Sequence, residues 1–254
     1  PPPMVAAAMK EAKVVFMLTT KNMFHTRASS AAREAGVRMV NLRQMTEDLF
    51  SSDVLTPDYA KMYEETRRIA DLLSQASEAK VTSAQGTNLS MSLVGRTALC
   101  NSGPLDPGNI MTLPAGEAAL APVEGTLEGV LVVDYAIDGI GVLSSPVKVV
   151  AKKGRVSSIE GGKEATRLQE ILSQADANAY NFAELAIGTN PNSRLVGNVA
   201  EDKKKRGSVH IAIGDSLLLE GTNSSRIHLD MIVLKPNVWL DGKQIVKQGE
   251  FSLY

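Results

Sequence analysis

The sequence predicts an α/β layer followed by a β-rich α+β domain, and three observations carry that prediction. Helix-like and strand-like segments alternate over residues 1–79, short apolar runs broken by Gly, Pro and Asn dominate residues 80–254, and only 163–175 in that second part has helical periodicity. A chain of 254 residues with 44% hydrophobic content can bury one large core or two modest ones, so a division near residue 79 is physically reasonable.

Taken in order, residues 4–12 read as a helix, and 13–20 (Lys-Val-Val-Phe-Met-Leu-Thr-Thr) form an apolar run of strand length. Residues 28–35 are helix formers stopped by Gly36, and 37–42 are apolar again, which predicts a parallel βαβ unit. Thr56-Pro57-Asp58 caps a long amphipathic helix expected to reach about residue 79, since Tyr59, Met62, Tyr63, Ile69, Leu72 and Leu73 recur at helical spacing. Strands are expected at 81–84, 89–93, 119–123 and 127–135. Lys153-Gly154 joins 147–152 to 156–159, and Asp241-Gly242 joins 238–240 to 245–247, both as hairpins. Residues 101–107 read as a loop and 137–141 as a turn. The chain opens on Pro-Pro-Pro without an initiator Met, so the α/β part is expected to be N-terminally incomplete.

Composition excludes several classes of partner. A formal charge of −1 offers no field for nucleic acid or an anionic membrane, and no apolar run approaches the roughly 20 residues that span a bilayer. Cys100 is the only cysteine, which excludes an internal disulfide and a thiolate metal cluster and fits a reducing cytoplasm. Lys203-Lys204-Lys205-Arg206 beside Glu201-Asp202 reads as a solvated loop. Ser144-Ser145 has no His–Asp partner in view, so a serine nucleophile is not expected.

The polar residues set in apolar surroundings point elsewhere. In Arg-Ile-His-Leu-Asp-Met-Ile-Val-Leu-Lys, residues 226–235, strand alternation places His228 and Asp230 on one face and Ile227, Leu229 and Met231 on the other. An enclosed imidazole and carboxylate need a mutual hydrogen bond, or a metal. Only three histidines exist: His228, His210 in Ser-Val-His-Ile-Ala-Ile-Gly, and His25 after the first strand. Glu184 in Phe-Ala-Glu-Leu-Ala-Ile-Gly and Glu117 in Leu-Pro-Ala-Gly-Glu-Ala-Ala-Leu are each the sole acid of an apolar segment. Together Glu117, Glu184, His210, His228 and Asp230 make an oxygen- and nitrogen-rich donor set suited to zinc, manganese, cobalt or ferrous iron.

These blocks, with Gln85-Gly86-Thr87-Asn88-Leu89, occur in the same order as those of the thermophilic metallo-aminopeptidases of the aminopeptidase T type, which the chain resembles over most of its length. The resemblance implies an α/β domain (1–79) followed by a β-rich metal-binding catalytic domain (80–254), and a homodimer. It also implies a two-metal zinc or cobalt site, at Glu117, Glu184, His210, His228 and Asp230, that removes N-terminal residues from small peptides. Glu117 would then also take part in catalysis. The chain departs from those enzymes by a shorter interval between His210 and His228, by Leu217 where they carry a tyrosine, and by a shorter N-terminal region. A second branch of the superfamily, the mononuclear non-haem iron dioxygenases that open dihydroxypyridine rings, is similar in size. In that branch the triad would be Glu184, His228 and Asp230 around iron(II), and His25 in Phe-His-Thr-Arg would serve as acid or base on a small-molecule substrate. That branch carries a histidine where this chain has Glu184. A member that keeps the fold without the activity is a third reading.

Overall fold

The computed structural model describes residues 1–19, 23, 26–42 and 44–252; His25 lies outside them. The N-terminal elements are α1 (Pro3–Glu11), β1 (Val14–Met17), α2 (Arg27–Glu34), β2 (Arg38–Asn41), α3 (Glu47–Phe50) and α4 (Tyr59–Gln75). Next come β3 (Glu78–Thr82), β4 (Asn88–Ser92), β5 (Leu99–Asn101), β6 (Ile110–Thr112), β7 (Glu117–Leu120), β8 (Glu128–Val133), β9 (Ala136–Ile137) and β10 (Gly141–Val142). The rest of the chain supplies β11 (Val147–Lys152), β12 (Arg155–Glu160), α5 (Lys163–Gln174), β13 (Phe182–Gly188) and α6 (Val199–Asp202). It ends with β14 (Val209–Gly214), β15 (His228–Val233), β16 (Asn237–Leu240), β17 (Lys243–Lys247) and β18 (Glu250–Phe251).

Local chemistry explains the boundaries. Thr26 caps α2 by accepting from the Ser29 N–H, and Gly36 at φ 84 ends it, because a left-handed residue after the last turn costs glycine least. The parallel unit follows, with Val14 opposite Arg38 and Met17 opposite Asn41. Asp58 caps α4, which buries Met62, Thr66, Ile69, Ala70 and Leu73 along one stripe. The helix stops at Gln75, short of the expected 79, because the Asp241 carboxylate takes the Ser77 and Glu78 N–H groups and draws the chain into β3. Both predicted hairpins form, their turns carrying left-handed Lys153-Gly154 and Asp241-Gly242.

Three sheets result. β1, β2 and β6 make a small parallel sheet; β10-β9-β15-β14-β13-β7-β5 make a seven-stranded sheet; β12-β11-β8-β4-β3-β16-β17-β18 make an eight-stranded one. The two larger sheets share the main core. Leu120, Leu185, Ile187, Ile211, Ile213, Met231 and Val233 from one face Val81, Leu89, Met91, Leu131, Val149 and Val238 from the other. β5 and β6 flank the stretch expected to be loop; three-residue strands are too short to show alternation in sequence. Among the described residues no helix is long and apolar enough to cross a membrane.

Candidate metal centre

Strand periodicity decides which side chains meet. In β7, β13, β14 and β15 the core takes Ala118 and Leu120, Leu185 and Ile187, Ile211 and Ile213, and Met231 and Val233. The alternate positions Glu117, Glu184, His210, His228 and Asp230 therefore share the opposite face of one sheet. Pairing sets their spacing: Glu184 and Asp230 flank Ala212 in one row, His210 lies beside Ala186, and Glu117 lies opposite Gly188. The small residues between them leave room for the long polar side chains to converge.

They do converge. His228 Nε2 lies 2.8 Å from Glu184 Oε2 and 3.4 Å from Asp230 Oδ1, and His210 Nε2 lies 3.3 Å from Glu184 Oε1 and 3.4 Å from Glu117 Oε2. Two overlapping groups, Glu117–Glu184–His210 and Glu184–His228–Asp230, each have ligand atoms within 4.8 Å of one another. The His228 Nδ1 atom is 2.7 Å from the Asp215 carbonyl oxygen, which can only accept, so Nδ1 carries a proton and Nε2 faces the carboxylates; burial opposes a second proton there, Asp230 and Glu184 favour it, and a metal ion would take that proton's place. Both ring nitrogens of His210, Glu117 Oε2 and Asp230 Oδ1 are buried without a hydrogen-bond partner among the described residues. Carboxylate oxygens and imidazole nitrogens gathered this closely on one enclosed face make a donor set that can hold a divalent metal.

Two cations come from the chain itself, and they correct the reading of residues 203–206 as a solvated loop. Lys204 is 1% exposed with its ammonium against Glu117 Oε1, and Lys203 Nζ lies 2.8 Å from Asp230 Oδ2 and 4.0 Å from Glu117 Oε2. The loop reaches the sheet because position 188 is glycine: a Cβ there would come within 2.3 Å of the Lys205 carbonyl oxygen. Asn190 N–H also donates to the Lys204 carbonyl. Burial would raise the Glu117 carboxyl, but Lys204 and Lys203 hold it below its ordinary range. Burial likewise opposes ionisation of Asp230, where Lys203 and His228 prevail and keep the carboxylate charged.

Over this face runs a cleft closed on its far side by the carboxyl ends of β2 and β6, the position at which open α/β sheets bind ligands. Its walls include Leu99, Ile110, Val199, Leu218 and Leu219, with Asn41, Lys203 and His228 as polar groups.

A family model described as NicX, 2,5-dihydroxypyridine 5,6-dioxygenase, matches residues 2–253. The chain belongs to this family. No curated protein matches the sequence. Among solved structures, the 2,5-dihydroxypyridine dioxygenase of Pseudomonas putida is 22% identical with a TM-score of 0.84, over 98% of this chain and 74% of that one. Wild-type AmpT from Thermus thermophilus is 16% identical with a TM-score of 0.70, over 99% of this chain and 80% of that one. At these identities both show a shared fold.

NicX membership places the chain in an enzyme family and moves the weight between the two branches seen in sequence. The leading hydrolase reading, with zinc or cobalt, yields to its oxygenase alternative. All five predicted donors lie on one face, but this NicX member adds partners that the sequence did not single out: Lys203, Lys204, the Asp215 carbonyl, and Asn101, which donates to Glu117 Oε1 at 3.2 Å. One signal was available. Three carboxylates in an enclosed site need more positive charge than two imidazoles provide, so nearby lysines merit inspection.

Proposed function

We propose that this chain is a mononuclear non-haem iron dioxygenase that opens a dihydroxylated, pyridine-type ring. The observation that carries the reading is the Glu184–His228–Asp230 group, two carboxylates and an imidazole on β13 and β15, the two strands that flank β14, at the floor of an apolar-walled cleft. A ferrous ion held by these three would supply the one-electron chemistry through which triplet dioxygen reacts with a closed-shell ring.

The rest of the work falls to the chain's own groups. His228 is oriented by Asp215, and its side chain lines the cleft and is 31% exposed, so a substrate can approach the centre from that side. Leu99, Ile110, Val199 and Leu218 offer apolar walls for a flat ring. The Asn41 Oδ1 atom, buried at the end of β2 in the same cleft, has no hydrogen-bond partner among the described residues and is suited to accept from a ring hydroxyl or N–H. Lys203, at the cleft wall, favours a hydroxyl in its deprotonated form. His25 is proposed as the acid or base, on the strength of the family resemblance of its segment.

One observation favours the aminopeptidase reading as the second: Glu117 and His210 stand beside the triad, as a two-metal site would need. The two readings separate in a paired assay on one preparation loaded in turn with ferrous iron, zinc and cobalt. We expect oxygen uptake only from the iron form and only with a dihydroxylated ring. Cleavage of a leucyl or alanyl chromogenic amide by the zinc or cobalt form, lost in His228→Ala, would overturn the proposal.

A further inference from the structure

The two overlapping donor groups pose a problem of number. Glu117–Glu184–His210 and Glu184–His228–Asp230 share Glu184, and donor types alone would allow an ion in each. We propose that Lys204, supported by Lys203, is a built-in cation that takes the place of an ion at Glu117, Glu184 and His210, so that the centre binds one divalent metal per chain, at Glu184, His228 and Asp230. The inference rests on the mononuclear reading above and assigns its cause: two ions in wild type would sink both, whereas a folded lysine double variant that still holds one ion would sink the inference alone.

Geometry comes first. Lys204 Nζ is against Glu117 Oε1 and Lys203 Nζ is 4.0 Å from Glu117 Oε2, so both oxygens that Glu117 could offer an ion already face an ammonium. Neither lysine side chain is loosely placed. Lys204 is 1% exposed, and its backbone is tied by its carbonyl to the Asn190 N–H and by its N–H to the Glu201 carbonyl. Gly188 lets this loop lie against β13, so the ammonium groups reach the carboxylates from a fixed platform.

Charge leads to the same count. Glu117, Glu184 and Asp230 carry three negative charges, and two ammonium groups return all but one. One divalent ion then leaves a single positive charge in the site, whereas a second would leave three in an enclosed space. Two divalent ions without the lysines would leave the same single charge, so the pair of ammonium groups is equivalent to one ion.

Access distinguishes the two positions as well. His210 is fully buried, whereas the side chain of His228 keeps 31% of its surface toward the cleft. An ion beside His228 can exchange and meet substrate; one beside His210 would be sealed beneath the lysines.

Metal content is the test, read without any turnover. The full chain is stripped with a chelator, loaded with excess manganese(II), desalted and analysed for manganese per chain, with an electron paramagnetic resonance spectrum of each sample. We expect one ion per chain and an uncoupled six-line signal from wild type, both unchanged in Glu117→Gln. The double variant Lys203→Ala, Lys204→Ala, checked for fold by circular dichroism, should rise to two ions with an exchange-coupled signal, and adding Glu117→Gln should return it to one. Two ions in wild type, with one lost in Glu117→Gln, would overturn the inference, as would a folded double variant that still holds one. If the double variant does not fold, the wild-type and Glu117→Gln counts decide alone. No ion in any form would overturn the inference together with the metal centre itself.

Discussion

The Nδ1 atom of His228 lies 2.7 Å from the backbone carbonyl of Asp215, whose own N–H donates to the Ile227 carbonyl across the turn between β14 and β15. A main-chain acceptor thus fixes both the tautomer and the plane of the imidazole, and the side chain two residues on, Asp230, faces the same point. His228→Ala should cost more metal affinity than the roughly 10–100-fold that follows from removing an outer-shell partner. Competitive chelator titration measures it, and wild-type affinity in the variant would remove His228 from the site.

Asn41 is the simplest probe of ring recognition. If its buried Oδ1 accepts from the substrate, Asn41→Ala loses one neutral hydrogen bond of about 1 kcal/mol, which corresponds to roughly a five-fold rise in KM. Iron content should stay at the wild-type value. An unchanged KM would assign Asn41 to the fold alone.

His25 is expected to act on protons and not on the metal. His25→Ala should lower kcat by on the order of 100-fold, a typical value for loss of a general acid or base, while iron content and affinity are retained. Loss of iron along with activity would make His25 a ligand, and full activity would end its assignment.

Asp202 provides a stability test. Burial pushes its carboxyl up to about 6, against accepted hydrogen bonds from the Val196 N–H and Tyr135, and its Oδ2 is buried without a partner among the described residues. A carboxyl with a raised folded-state pKa favours folding below its unfolded value and loses that contribution as pH rises through the folded one. Between about pH 4 and 6 the wild type should therefore lose roughly 2–3 kcal/mol from this group. Asp202→Asn should lack that slope and be the more stable protein at pH 7.5 in denaturant titrations. Parallel pH profiles for the two proteins would rule the effect out.

Much of the fold is legible because its signals are local. Gly36 after a run of helix formers, Asp58 before an apolar stripe, and Lys153-Gly154 or Asp241-Gly242 between strand-like runs act through the backbone preferences of a few neighbouring residues. Period-two alternation likewise places His228 with Asp230, while Glu117 and Glu184 stand out as the sole acids of apolar segments and His210 as one of only three histidines. The end of α4 was not legible, because an aspartate more than 160 residues away terminates it.

What the sequence by itself determined is the set of candidate donors: two glutamates, two histidines and an aspartate standing in apolar segments, with strand alternation placing His228 and Asp230 on one face. Only the tertiary structure decided that these segments are neighbours in one sheet, and that the loop after α6 folds back to set Lys203 and Lys204 against the same carboxylates. A run of three lysines and an arginine has the same local pattern in water and in a buried site. Its role depends on the charge it meets across space, and that charge belongs to strands distant in the chain.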